Sequence, residues 1–139
     1  MTWLTWAILS AVFAAATAIL AKLGVTGVDS NFATAIRTTV VVVFTWLIAY
    51  VARQPGTFNV PSNQTWLYLT LSGLATGLSW LCYFRALQLG PASRVAPVDK
   101  LSVALVILLG VLFLGEKLTL GKALGGALIV AGAIFVALD

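Results

Sequence analysis

Five long apolar runs, separated by short polar breaks, fill almost the whole of this chain, at about residues 3–21, 32–51, 66–87, 93–114 and 121–138. Each is long enough to cross a hydrocarbon core of ~30 Å as a helix rising ~1.5 Å per residue. The runs are apolar on every face, whereas barrel strands alternate with a period of two, so strands are excluded as the spanning element. Composition agrees. Of 139 residues, 61% are hydrophobic and 9% are charged, against about 25% charged in soluble domains. So few charges cannot clothe a surface in water, and lipid must be the solvent for most of the molecule. The expected fold is all-α, a multi-pass protein with a single five-helix transmembrane domain over residues 1–139. The first run has no basic segment before it and is as long as a span, so it reads as a helix that stays rather than as a cleaved leader.

The breaks have turn chemistry. Gly24, Gly27, Asp29 and Asn31 lie between the first two spans, Gly90-Pro91 separates the third from the fourth, and residues 115–120 lead into the fifth. The longest loop, 53–65, holds Pro55, Gly56, Pro61 and Asn63. With alternating spans, Trp3, Trp6, Trp46, Tyr50, Trp66 and Tyr68 fall on one side of the membrane, where such rings favour the headgroups. That side holds Arg53, Lys117 and Lys122, and the other holds Lys22, Arg37, Arg85, Arg94 and Lys100. This bias does little to fix orientation under the positive-inside rule. Either some of the second group sit inside spans and do not count, or the chain inserts both ways round, a dual topology.

Several functions are excluded. The net charge of +4 is spread along the chain and forms no patch for nucleic acid. With no histidine and one cysteine, neither a Cys/His zinc site nor an internal disulfide can form. Cys82, inside an apolar run, reads as a packing residue. No nucleophile–base pair, metal set or phosphate loop is visible, so no catalytic residue, metal or cofactor is expected.

The chemistry left to the chain lies in polar residues within spans. A charge at the hydrocarbon centre costs about 2.5–3.5 kcal/mol on insertion scales, so it needs a partner, water or a place near the span's end. Arg37 lies about two turns into the second span and shares a helical face with Thr34, Thr38 and Thr45. Ser10 and Thr17 share a face in the first span with Trp6, as do Thr76, Trp80 and Tyr83 with Ser72 in the third; Asp99 and Ser102 are one turn apart in the fourth. These stripes are expected to converge on a cavity. Candidate substrate-binding residues are therefore Arg37, Trp80, Tyr83, Asp99, Ser102, Thr76, Thr17 and Ser10. Arg37 would attract or orient a polar substrate group. Asp99 would balance Arg37 or Arg85 or carry a proton, and the rings would supply stacking surface. Structural alternatives stand beside these roles. The hydroxyls can bond their own helix, Trp80 and Tyr83 can simply pack, Arg94 and Lys100 can snorkel to the headgroups, and Arg85 can pair with Asp99. Glu116 reads as a solvated partner of its neighbour Lys117. The first span has no acidic residue, and the inferred cavity is more basic than acidic. Neutral, zwitterionic or anionic substrates are thus favoured over lipophilic cations.

The fifth span carries Gly121, Gly125, Gly126 and Gly132, with Gly125 and Gly132 seven residues apart on one face. Small residues let helices approach closely where lipid gives no hydrophobic drive for association. The face serves either packing within the chain or contact with a second copy, and the second is favoured.

The residues also resemble a known family. An aromatic followed by Ala86-Leu87 closes the third span, Pro97 opens the fourth, Leu114-Gly115-Glu116 follows it, and Gly125-x-x-Leu128-Ile129-x-x-Gly132 lies in the fifth. This pattern resembles the EamA-like family of the drug/metabolite transporter superfamily, as does an arginine near the start of the second span. The resemblance is strong over residues 83–138 and rests before that on span count and Arg37. It implies one half of a ten-helix inverted-repeat transporter fold. The run 98–102 looks like that of single-domain five-span members, and the glycine spacing is similar to that of the dimerising last helix of small multidrug resistance relatives. Their acidic first-span residue is missing here, so proton exchange of their type does not carry over. Because five is odd, a homodimer that rebuilds the ten-span plan must be antiparallel. The expected function is transport of a small metabolite or hydrophobic solute by alternating access, in the plasma membrane, most simply a bacterial inner membrane, with membrane lipid and a second copy as partners. Two alternatives are a lipid or lipid-linked sugar flippase subunit working with a different partner, and a non-transporting membrane scaffold.

Overall fold

A computed structural model of the chain describes residues 2–52 and 61–139. The part of the long loop at 53–60, with Arg53, lies outside the described residues. Among those described, all regular structure is helical: α1 (Trp3–Gly24), α2 (Ser30–Val51), α3 (Asn63–Leu89), α4 (Ala92–Asp99), α5 (Leu101–Leu114) and α6 (Leu120–Leu138). Five segments are long and apolar enough to cross a membrane, with α4 and α5 together forming the 23-residue segment Ala92–Leu114. The shortest, α6, has 19 residues and is about 28 Å long at ~1.5 Å per residue.

The helix ends follow from local chemistry. Asp29 caps α2, its carboxylate accepting from the N–H groups of Asn31 and Phe32 at 3.0 Å. Ser62 does the same for α3, accepting from Thr65 N–H at 3.2 Å. Thr119 caps α6 through Lys122 N–H at 3.3 Å. Each satisfies helix donors that would otherwise lack a partner. α1 and α3 run a few residues beyond the expected spans because caps and turns, not the last apolar residue, set where a helix stops.

The fourth span departs most from expectation. It is not one helix but two, broken at Lys100. Pro97 has no N–H to donate, and past it the backbone tightens. Lys100 N–H bonds Pro97 O at 3.1 Å, and Val103 N–H bonds Lys100 O at 2.9 Å, both at three-residue spacing.

Backbone contacts divide the chain into two compact units, Met1–Leu23 with Leu89–Asp139, and Gly24–Gln88. In the first, α6 packs against both α4 and α5, and the Lys22 ammonium donates to Gly90 O at 2.9 Å. In the second, the Gln88 amide donates to Val28 O at 2.5 Å, tying the end of α3 to the turn before α2. The buried apolar side chains are few and mostly small: Ala18, Ala21, Val25, Ala33, Phe84, Leu87 and Ala133. Large ones such as Phe113 (79% exposed) and Phe135 (77%) stand outward, an arrangement that only an apolar solvent tolerates. The interfacial rings Trp3, Trp6, Trp46, Tyr50, Trp66 and Tyr68 are likewise all exposed on their helices.

Candidate substrate site and packing face

In the unit Gly24–Gln88, the third helix presents Trp80 and Phe84 four residues apart on one face. Arg37, about two turns into α2, lies over this face. Its guanidinium carbon is 4.2 Å from the Trp80 ring centroid and 5.6 Å from that of Phe84. Such a contact contributes about 0.5–2 kcal/mol, the larger figure when desolvated, and so offsets part of the cost of a cation in a span. No carboxylate among the described residues pairs with Arg37. Asp29 is the sole acidic residue between positions 24 and 88, and it is engaged as the cap of α2. Phe84, which is 3% exposed, did not stand out in the sequence, although its position one turn after Trp80 is the signal that finds it. Tyr83, on the adjoining face, is half-buried.

The hydroxyls of this unit turn to their own helices. Thr34 donates to Ser30 O (2.7 Å), Thr38 to Thr34 O (2.8 Å), Thr45 to Val41 O (2.8 Å) and Thr76 to Ser72 O (2.9 Å). These bonds use the donors and leave oxygen lone pairs as acceptors. Arg85 donates to the Gln88 side chain at 3.0 Å, so its guanidinium supports the same side chain that holds Val28. Cys82 is exposed and so faces the surroundings of α3 rather than filling an interior, contrary to the packing role expected of it.

In the other unit, Asp99 pairs with the adjacent Lys100 at 3.1 Å, right at the break between α4 and α5. Ser102 stands exposed in the first turn of α5, Ser10 is exposed on α1 and Thr17 is half-buried there.

The hairpin of α5 and α6 is closed by specific chemistry. Gly115 adopts φ +67°, the left-handed conformation that ends α5. The turn then brings Glu116 N–H to Gly110 O at 3.1 Å. The Glu116 side chain lies against Gly110, where an added Cβ would come 3.4 Å from its carboxyl carbon. Its carboxylate pairs with Lys122 at 2.8 Å. This corrects the expected pairing with Lys117: the turn carries the first residues of α6 back over Glu116, bringing Lys122 within reach. On α6, Gly126 is buried, and a Cβ there would lie 3.3 Å from Ile107 Cδ1 of α5. Ala133, seven residues on, is also buried. Gly121, Gly125 and Gly132 have nothing within 4 Å of an added Cβ. A shallow apolar groove of about 250 Å³ between α5 and α6 shares Gly126 with this face and contains none of the candidate substrate residues.

The chain matches the EamA-like transporter family over residues 1–138. It belongs to that family. A protein named as an uncharacterized transporter in cobO 3'region, from a Sinorhizobium species, is 55% identical over 139 residues, covering 98% of this chain and 96% of that protein. An uncharacterized protein of Methanocaldococcus jannaschii is 34% identical over 72 residues, 52% of this chain and 53% of its own length. A probable 4-amino-4-deoxy-L-arabinose-phosphoundecaprenol flippase subunit ArnE of Yersinia pseudotuberculosis is 36% identical over 74 residues, 53% of this chain and 65% of its own length. No solved structure matches the chain.

In this EamA-like chain the Leu114-Gly115-Glu116 motif therefore has a structural account. Glycine supplies the left-handed turn, and glutamate clips it by bonding back to α5 and forward to α6. The glycines of α6 divide by position. Gly126 serves contact within the chain, while Gly121, Gly125 and Gly132 leave a path on which another helix can approach.

Proposed function

We propose that this multi-pass transporter of the EamA-like family moves a small metabolite or hydrophobic solute by alternating access, with the whole chain acting as one transport domain. The observation that carries this reading is Arg37 lying over Trp80 about two turns inside a span, without a carboxylate paired to it among the described residues. A charge so placed is costly and is retained where it meets a ligand or a water-filled path. Tyr83 and Thr76 on the same helix add a ring and a hydroxyl oxygen to that surface, and Ser10, Thr17, Asp99 and Ser102 remain candidate contacts on α1 and the α4–α5 segment. In purified protein reconstituted into liposomes, Arg37→Gln is expected to abolish flux while leaving expression and assembly intact. Unchanged flux removes Arg37 from the site.

The working form we propose is an antiparallel homodimer in the plasma membrane, in a bacterium the inner membrane, which rebuilds a ten-span inverted repeat from two five-span copies. The path along Gly121, Gly125 and Gly132 supports it, as does the near balance of basic residues on the two sides. Labelling a single cysteine at Asn63→Cys, in a Cys82→Ala background, from each side of the membrane tests it. Reaction from one side only rules the antiparallel dimer out.

A second reading has its own support. Likeness to a flippase subunit over about half of this chain favours a subunit that moves a lipid or lipid-linked sugar with a different small partner. Co-purification of a second membrane protein in stoichiometric amount would decide for it over the homodimer.

A further inference from the structure

We infer that Arg37 is a receptor for an oxyanion, a carboxylate or a phosphate ester, whose apolar remainder lies against Trp80. This rests on reading the site as a transport site and narrows its substrate to anions.

The Arg37 guanidinium sets the chemistry of this surface. It carries five N–H donors in a planar fork. Of its neighbours, Trp80 and Phe84 are rings whose faces attract the positive charge but offer no lone pairs to the donors, while Tyr83 bears on it electrostatically through a single phenol oxygen. Asp29, the single carboxylate of the unit, accepts from two N–H groups at the start of α2. Asp99 and Glu116 are each engaged locally, by Lys100 and by Lys122. A cation in an apolar medium with no carboxylate paired to it among the described residues is stabilised most by an acceptor that is itself charged and can take two parallel N–H bonds, which is an oxyanion. A cationic ligand would meet like charge in a medium that screens poorly. The Trp80 ring defines the second half of the ligand. Trp80 holds the guanidinium in place in advance with the buried Phe84 behind it, and its part-exposed ring stands beside the bound anion, so an anion with a flat or apolar body gains contact that a bare ion does not.

The test uses the intact wild-type protein in phosphatidylcholine nanodiscs, treated with phenylglyoxal. Modification of each arginine is followed by mass spectrometry, with Arg85 and Arg94 as internal references. Benzoate and inorganic phosphate are added in turn, with benzylammonium as the cationic control. One further arm places phosphatidylglycerol in the disc. The inference expects saturable protection of Arg37 by benzoate, weaker protection by phosphate, none by benzylammonium, and no change at the reference arginines. Protection by phosphatidylglycerol but by neither soluble anion keeps the oxyanion and assigns it to a lipid headgroup. No protection in any arm, equal protection at all three arginines, or protection by benzylammonium overturns the inference. Calorimetry of benzoate binding adds a second readout. Arg37→Gln should weaken it about tenfold or more, and Arg37→Lys, which keeps the charge but not the fork, should fall between. A folded Arg37→Gln protein that binds benzoate as wild type does also overturns it. The two proposals fail separately. Protection of Arg37 without flux of any anion sinks the transport reading alone. Arg37-dependent flux of a neutral solute without protection sinks the anion receptor alone.

Discussion

Between α5 and α6 the backbones approach because Gly126 has no side chain to hold them apart, and Ile107 fills the space it leaves. Between α2 and α3 the link is made instead by long side chains, with Arg37 reaching over Trp80 and Phe84 and Gln88 bonding back to Val28. Both pairs lie in a medium that gives no hydrophobic drive for helix association, yet one is closed by removing atoms and the other is bridged by adding them. The first arrangement gives contact that tolerates little change. The second is held through side chains, and its bridge is the charged group proposed to meet the ligand. The difference teaches where to look for each kind of work. Rigidity is expected of the hairpin that carries the family's glycines, and the proposed ligand chemistry of the pair held by side chains.

Substitutions sharpen the contrast. Gly126→Leu should have the largest effect on stability, because a side chain there meets Ile107; overpacking of this kind costs about 1–3 kcal/mol and should lower the midpoint of thermal unfolding in detergent. Gly132→Leu should barely move that midpoint, while dissociating the proposed dimer in crosslinking assays. If both glycines shift stability equally, the division of α6 into an inner and an outer path is wrong. Next comes Gly115→Ala, since its left-handed φ costs an L-residue about 1–2 kcal/mol, read by the same melt. Trp80→Leu keeps apolar volume and removes the ring beneath Arg37. It should cost about 0.5–1 kcal/mol but depress flux far more than Gly115→Ala does, and the reverse order would break the assignment of function to α2 and α3. The smallest effect is expected of Glu116→Gln. The Glu116–Lys122 pair is about half exposed, so its loss should cost only about 0.2–1 kcal/mol and fade in high salt.

Which parts were legible in the sequence follows from the physics of each. The five apolar segments were, because lipid requires about twenty apolar residues per crossing and tolerates few exceptions. Helix ends were less so. α1 continues through Lys22 to Gly24 because the interface is wet enough for a charged side chain on a helix. Pro97 was visible, but the break at Lys100 was not, since a proline's missing donor frees a carbonyl of the preceding turn and does not dictate how the backbone after it pairs. Arg37 and Trp80 were each readable as unusual residues in spans, and the structure brings them together. Phe84 carries no polar signal of its own, and only its place one turn after Trp80 marks it. Lys122, six residues from Glu116, is its partner only because a left-handed glycine and a threonine cap fold the chain back.

No carboxylate among the described residues pairs with Arg37, and for the proposed site this has an electrical consequence. A site that is +1 when empty becomes neutral when a monoanion fills it. Membrane potential acts at ~2.3 kcal/mol per elementary charge per 100 mV on whatever net charge moves through the field. If Arg37 moves with the alternating step, voltage would then act on the return of the empty carrier and leave the loaded crossing almost untouched.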